Sequence, residues 1–292
     1  MTTTKKDPEI EDLAKAVNGS GFPLQLGIQR VAASNPRWTV ELTEHAWSDP
    51  LTGDEKFIDL VIRDKDARSV GPMRIVIESK RAARTEWIFL RENEPQDAHD
   101  DNRLNAVVRV LSRSQTKNTV FNTWVGVPFV PGTTQADFCV IRRDGQRSQD
   151  LLEKVAAELV RATDALATHE DTLHARQRAD PSNQYPPISR VYIPMIVSTA
   201  RLFICDAPYD RVDLETGQVN PSMIREVPAV RFIKSFGSLA PERSIAKSIR
   251  EFAEATQRTV IVVQAARLNE LLTKWDFGNL NLALSAALWQ KG

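Results

Sequence analysis

Phe57-Ile58-Asp59-Leu60-Val61-Ile62 and, after a polar interval, Met73-Arg74-Ile75-Val76-Ile77-Glu78-Ser79-Lys80 are two apolar runs, each broken or closed by a charge. Near-continuous runs of branched residues read as strands packed on both faces, as in an α/β sheet covered by helices. A charge on such a strand costs several kcal/mol unless it is paired or bound to a metal, so Asp59 and Glu78 demand a reason for being there. Side chains two apart on a strand share a face, which puts Lys80 beside Glu78. With the strands as antiparallel neighbours joined through Asp64 to Gly71, Asp59 lies next to Glu78. Two carboxylates and an ammonium then converge.

That set of groups suits a hard divalent cation, because Mg²⁺ prefers carboxylate oxygens and keeps waters for substrate phosphates. The main-chain carbonyl of Ser79 offers a further oxygen. A cation held by Asp59, Glu78 and Ser79 would polarise a phosphodiester and lower the pKa of a bound water, with Lys80 holding that water or countering developing charge. A solvated ion pair at a strand end is the plainer alternative for Glu78 and Lys80.

Outward from these strands, the apolar residues of 8–34 recur at helical spacing in two pieces divided by Asn18-Gly19-Ser20-Gly21, with Pro23 in the first turn of the second piece and an end near Asn35-Pro36. Trp38 to Trp47 alternates as a half-buried strand, and Asp49-Pro50-Leu51-Thr52-Gly53-Asp54 is the turn that follows it. Trp87 to Leu90 reads as a short strand and 93–101 as an acidic loop. Leu104, Val107, Val108 and Leu111 predict a short helix, and Gly126 to Gly132 a loop. The clearest helix spans about Ser148 to Thr168, with Leu151, Leu152, Val155, Ala156, Leu159 and Val160 on one stripe. Asp180 to Pro187 reads as a linker or surface loop, and Val191 to Ser198 and Arg201 to Asp206 as strands. Arg211 to Val219 reads as a hairpin, Ser244 to Thr256 and Arg267 to Lys274 as helices, Thr259 to Gln264 as a strand, and Leu280 to Trp289 as a terminal helix.

The run around Asp59 followed by Arg74-Ile75-Val76-Ile77-Glu78-Ser79-Lys80-Arg81 resembles the D…ExK signature of the PD-(D/E)xK, restriction-endonuclease-like nucleases, with Ile58 where the name-giving proline would stand. The order of elements is similar too: a helix, a three-stranded meander bearing the acids, a crossover helix and a further strand. The resemblance covers about the first two hundred residues. It implies Mg²⁺-dependent cleavage of DNA (Mn²⁺ substituting), most often double-stranded, and often by a homodimer. It also implies accessory roles near the metal. Gln25 stands on the N-terminal helix where related nucleases often carry a glutamate, and Glu41 or Glu44 are the replacements for that carboxylate. Gln146 and Gln149, near the crossover helix, are a polar pair of the kind some members aim at the site.

At 292 residues with 42% apolar composition the chain is long enough for a sizeable core, and one domain over 8–279 is expected, with a nuclease core to about 206, a C-terminal extension and a tail from 280. No apolar stretch approaches the ~20 residues that span a bilayer, and the polar N-terminus lacks a secretory h-region, so a cytoplasmic protein is expected. Cys139 and Cys205 sit in apolar runs as lone thiols. The net charge is zero, so nucleic-acid binding would depend on local patches. Between Lys56 and Arg91 nine Lys/Arg face five acids, and Arg63, Arg81 and Arg84 are the candidates for phosphate contact. A second surplus runs from Arg225 to Arg258 through Arg231 and Lys234, either a phosphate-tracking face or ordinary surface charge. His169 and His174 are five apart and do not share a helix face, and His45 and His99 have no partner visible in sequence. Trp38, Trp47, Trp87 and Trp124 are core residues or base-stacking platforms.

The expectation that follows is a Mg²⁺-dependent nuclease of α/β class. The alternatives are a non-catalytic nucleic-acid- or protein-binding module that keeps the fold, and a nuclease acting on RNA or branched DNA.

Overall fold

The computed structural model describes residues 8–65, 73–91, 103–113, 118–128, 133–144, 146–148, 151–178, 189–207, 212–235, 248–249 and 256–274. Two helices open the chain, α1 (Pro8–Gly19) and α2 (Phe22–Ser34), separated at Gly21, whose φ of 88° no β-carbon residue adopts cheaply. Three antiparallel strands follow, β1 (Trp38–Ser48), β2 (Glu55–Asp64) and β3 (Met73–Lys80). The 28-residue helix α3 (Leu151–Arg178) then carries the chain to β10 (Ser189–Ser198), which lies parallel to β3 with Glu78 opposite Ile196.

The main sheet has nine strands in the order β1-β2-β3-β10-β14-β13-β7, with β5 (Arg103–Arg113) and β6 (Asn118–Pro128) joined to it through the first half of β10. Here β7 is Thr134–Ala136, β13 is Ala229–Ser235 and β14 is Gln257–Gln264. A second sheet runs β12-β11-β4-β8-β9, from β4 (Thr85–Arg91), β8 (Phe138–Arg143), β9 (Gln146–Ser148), β11 (Arg201–Asp206) and β12 (Ile224–Glu226). The architecture is α/β, with a large mixed sheet flanked by helices.

The continuous apolar runs have a direct cause. Val76 of β3, Tyr192 and Ile196 of β10 and Val260 and Val262 of β14 pack with Val155, Leu159 and Val160 of α3. Ile75, Ile77, Ile193, Met195, Ile261 and Val263 pack on the other face with Ile28 and Ala32 of α2 and Leu268 and Leu272 of α4 (Leu268–Lys274). Neither face of the central strands meets water, and each such side chain contributes about 1.5–3 kcal/mol by burial. Trp38, Trp47 and Trp87 are buried and belong to the core.

Several expectations are corrected. Residues 104–111 form strand β5 and not a helix. The spacing of Leu104, Val107, Val108 and Leu111 is helical, but Leu104, Ala106, Val108 and Val110 also alternate as on a strand, and pairing of β5 with both β6 and β10 decides for the strand. Gly126 to Pro128 end strand β6. At 212–219 there is a turn closed by Gly217 N donating to the Asp213 carbonyl at 2.6 Å, without strands on either side among the described residues. Helix α3 runs ten residues past its expected end. Arg231 and Arg258 are buried, which removes them from any phosphate-tracking face. The expectations for 93–101, 180–187 and the tail from 280, and most of 244–256, lie outside the described residues. No helix among the described residues is long and apolar enough to cross a membrane.

Candidate active site

The β2–β3 ladder pairs Arg63 with Arg74 at one end and Leu60 with Ile77 at the other. Asp59 and Glu78 are the next residues beyond that last pair, on adjacent strands. The regular ladder stops there because the Asp59 side chain takes over as acceptor: its Oδ2 receives the Ser79 amide and the Ser79 hydroxyl, both at 2.6 Å. Asp59 Oδ1 takes no hydrogen bond from a described residue. On the other side of Asp59 the β1–β2 pairing skips a step, resuming at His45 with Ile58, and Glu44 has a φ of 48°. A left-handed glutamate costs on the order of 1–3 kcal/mol and is held by its surroundings. Its carboxylate accepts from Gln25 Nε2, which also donates to the Asp59 carbonyl at 3.0 Å. Gln25 therefore links the Glu44 carboxylate to the backbone of Asp59.

Glu78 projects from β3 toward α3. Lys80 Nζ lies 2.5 Å from Glu78 Oε1, with the two side chains 33% and 21% exposed. Burial pushes the Glu78 carboxyl up from its ordinary value, and the negative charges of Asp59 and Glu158 push it further, against the pull of Lys80. Beside it opens a cavity of about 300 Å³ lined by Trp47, Lys56, Ile58, Glu78 and Glu158 among others. Lys56 Nζ spans from Glu158 Oε1 at 3.1 Å to Asp49 Oδ2 at 3.0 Å. Asp49 is fully buried and also receives Arg161, Nη2 to Oδ2 at 3.0 Å and Nε to Oδ1 at 3.1 Å. Burial alone would raise the Asp49 carboxyl. Arg161, the Leu51 amide and Lys56 outweigh it and hold the group down to about 2.

Other sequence candidates lie elsewhere. Glu41 accepts from Arg74, Nε at 2.5 Å and Nη2 at 2.9 Å, and Arg63 approaches the same carboxylate at 3.7 Å. Both belong to the far end of the ladder, four residues or about 13 Å from Asp59 and Glu78. There Arg74 and Arg190 also share Glu170 of α3, whose carboxylate accepts from Tyr192 Oη at 2.7 Å. Glu41 is a structural partner of Arg74 and not a replacement for the helix glutamate. Gln149 lies outside the described residues, and Gln146 pairs with Arg143 in the second sheet. Arg81 and Arg84 follow Lys80 on the exposed β3–β4 connection, and Arg84 Nη1 lies 4.0 Å from Asp144.

Lys56, Glu158, Asp49 and Arg161 were not singled out from sequence. A signal existed for Glu158: it falls with Val155, Leu159 and Ala162 at i, i+3, i+4 and i+7 spacing, a charge at an apolar-stripe position like Asp59 on its strand. Asp49 reads only as a turn residue, and its Oδ1 does accept from Leu51 N at 3.0 Å.

Among the described residues no three His, Cys, Asp or Glu side chains gather into a ready-made metal cage. The donor set present is two carboxylates from adjacent strands and main-chain oxygens. It fits Mg²⁺, which is commonly bound by one or two carboxylates together with waters and substrate phosphates. Crowding of anions at Glu78 is the electrostatic condition that a cation relieves. No family model, curated protein or solved structure matches this chain.

Proposed function

We propose that this chain is a Mg²⁺-dependent nuclease that hydrolyses phosphodiester bonds, in double-stranded DNA, with the chemistry of the PD-(D/E)xK enzymes its motif resembles. The observation that carries the reading is the placement of Asp59, Glu78 and Lys80 at one end of the β2–β3 ladder, where burial and then the Asp59 charge raise the Glu78 carboxyl above its ordinary value. A carboxyl shifted by burial and by a specific charged neighbour beside a cleft is a functional-site candidate.

In this reading Asp59 and Glu78 hold the ion, with Asp59 fixed by Ser79 so that Oδ1 is the oxygen free to bind. Mg²⁺ when bound supplies charge that polarises the phosphate and acidifies a water. Lys80 orients the attacking water by hydrogen bonding and offsets negative charge that builds on the phosphate oxygens. Gln25 holds the backbone of Asp59 and the carboxylate of Glu44, acting as a positioning residue. Arg81 and Arg84 lie next in the chain beyond Lys80 and serve as phosphate contacts flanking the cut.

The test is cleavage of linear and supercoiled DNA by the purified chain with Mg²⁺ or Mn²⁺, beside Glu78→Ala and Lys80→Ala variants of unchanged thermal stability. Cleavage is expected to fall by about 10²–10³-fold or more in each variant, the scale of losing one electrostatic group at a transition state. Equal cleavage by all three proteins would end the proposal. A binding module is the second reading, favoured by one observation: an amide, Gln25, sits at Asp59 where a third carboxylate would strengthen the site. It predicts DNA binding without Mn²⁺ association dependent on Asp59.

A further inference from the structure

His45 of β1 and His169 of α3 are far apart in sequence and meet in space, with ring centroids 6.2 Å apart and planes at 66°. They line a cavity of about 480 Å³ together with Trp47, Arg161, Thr168 and Thr172. The cavity is separate from the one beside Glu78 and shares only the Trp47 side of it. Two imidazoles bound to one ion at about 2.0–2.1 Å put their centroids roughly 4.5–6.4 Å apart, depending on the angle at the ion. A tetrahedral ion puts them about 5.2 Å apart, so the observed 6.2 Å requires the exposed His169 ring to move inward by about 1 Å on binding. Arg161, the nearest cation in the lining, is neutralised by its two-pronged contact with the buried Asp49. The approach of a second cation is therefore not opposed by an unpaired guanidinium.

We infer that His45 and His169 form a two-histidine site for a divalent cation of the imidazole-preferring class, Zn²⁺, Ni²⁺ or Cu²⁺, with water in the remaining coordination positions. Imidazole selects these ions over Mg²⁺, so the site is chemically distinct from the carboxylate site on the neighbouring strands. The ion ties the strand that bears Glu44 to the helix that bears Glu158. It binds the folded chain, where the two rings meet edge to face, and not an unfolded chain in which they are 124 positions apart.

The test uses the full chain and zinc chloride alone, read by thermal unfolding and by calorimetric titration, with magnesium chloride as the control ion. Zinc at about 100 times its Kd is expected to raise Tm by roughly 4 °C. The rise should vanish in His169→Asn and in His45→Asn, and should persist in a His99→Asn/His174→Asn double variant. His169 is exposed, so its substitution leaves the core intact should His45→Asn fail to fold. No zinc-dependent rise in the unaltered chain, a rise that survives His169→Asn, or a rise lost with His99 and His174 would each overturn the inference. None of these outcomes depends on nuclease activity.

Discussion

Helix α3 presents Glu158 and Arg161, one turn apart, to two carboxyl groups that are treated in opposite ways. Asp49, opposite Arg161, is buried yet fully met, by a guanidinium, an ammonium and a backbone amide, and its carboxyl is held down to about 2. Glu78, on the side of Glu158, is pushed up first by burial and then by two neighbouring carboxylates, against one cation. Both sit against the same apolar layer, so burial alone does not explain the difference. Asp49 serves the fold, tying the β1–β2 turn to α3. At Glu78 burial and neighbouring carboxylates disfavour the charged form, and under the proposed function a bound cation would relieve that. The two are bridged by Lys56, which touches both Asp49 and Glu158.

The largest effect that would test this contrast is at Asp49. Asp49→Ala leaves the buried Arg161 guanidinium without its carboxylate, while Lys56 keeps Glu158, and chemical denaturation should show a loss of about 3–5 kcal/mol. The pH dependence follows from the sign of the shift. A carboxyl lowered from 3.8 to about 2 contributes fully above the unfolded value and loses its contribution as pH falls from about 3.8 through 2. Acid unfolding of the unaltered chain should steepen in that window, and the variant should lack the steepening. An equal response of both proteins to acid would show that Asp49 does not stabilise the fold as argued.

Glu78 should behave in the opposite sense. Its raised carboxyl means that the native state holds more proton than the unfolded chain just above the ordinary carboxylate range, so its contribution is present at low pH and falls as pH rises through its folded value. Glu78→Gln removes the charge that Asp59 and Glu158 oppose. The metal-free variant should gain about 0.5–2 kcal/mol at neutral pH, the trade common at functional sites, while losing cleavage. A loss of stability instead would make Glu78 and Lys80 an ordinary ion pair.

The sequence made one side of this contrast legible and hid the other. Asp59, Glu78 and Lys80 stand out because strand periodicity and burial are local properties, visible within ten residues, and the antiparallel order of β2 and β3 follows from the short connection between them. Gln25 meets Asp59 through its main-chain carbonyl, whereas Glu41, only three residues before Glu44, pairs with Arg74. Which way each glutamate of β1 faces depends on the irregular pairing between Val40 and Leu42 and on the left-handed Glu44, features that no spacing rule reports. The Asp49–Arg161 and His45–His169 meetings join positions more than a hundred residues apart. They are set by how α3 lies across the sheet, which a single sequence does not contain. The strand β5 misled for the opposite reason, since its valines satisfied a helical spacing as well as a strand one.

The smallest expected effect isolates Glu158 as the source of part of the strain at Glu78. Glu158→Gln keeps the shape of the helix face and leaves Lys56 its bond to Asp49, so stability should change by no more than about 0.5 kcal/mol. The carboxyl of Glu78, followed by carbon-13 NMR across a pH titration, should move down toward its ordinary value, because one of the two anions raising it has gone. Lys56→Met should act the other way, leaving Glu158 without its nearest cation and Asp49 short of one donor. If Glu158→Gln leaves the Glu78 titration where it was, burial and Asp59 account for the shift by themselves. The helix would then cover the site without tuning it.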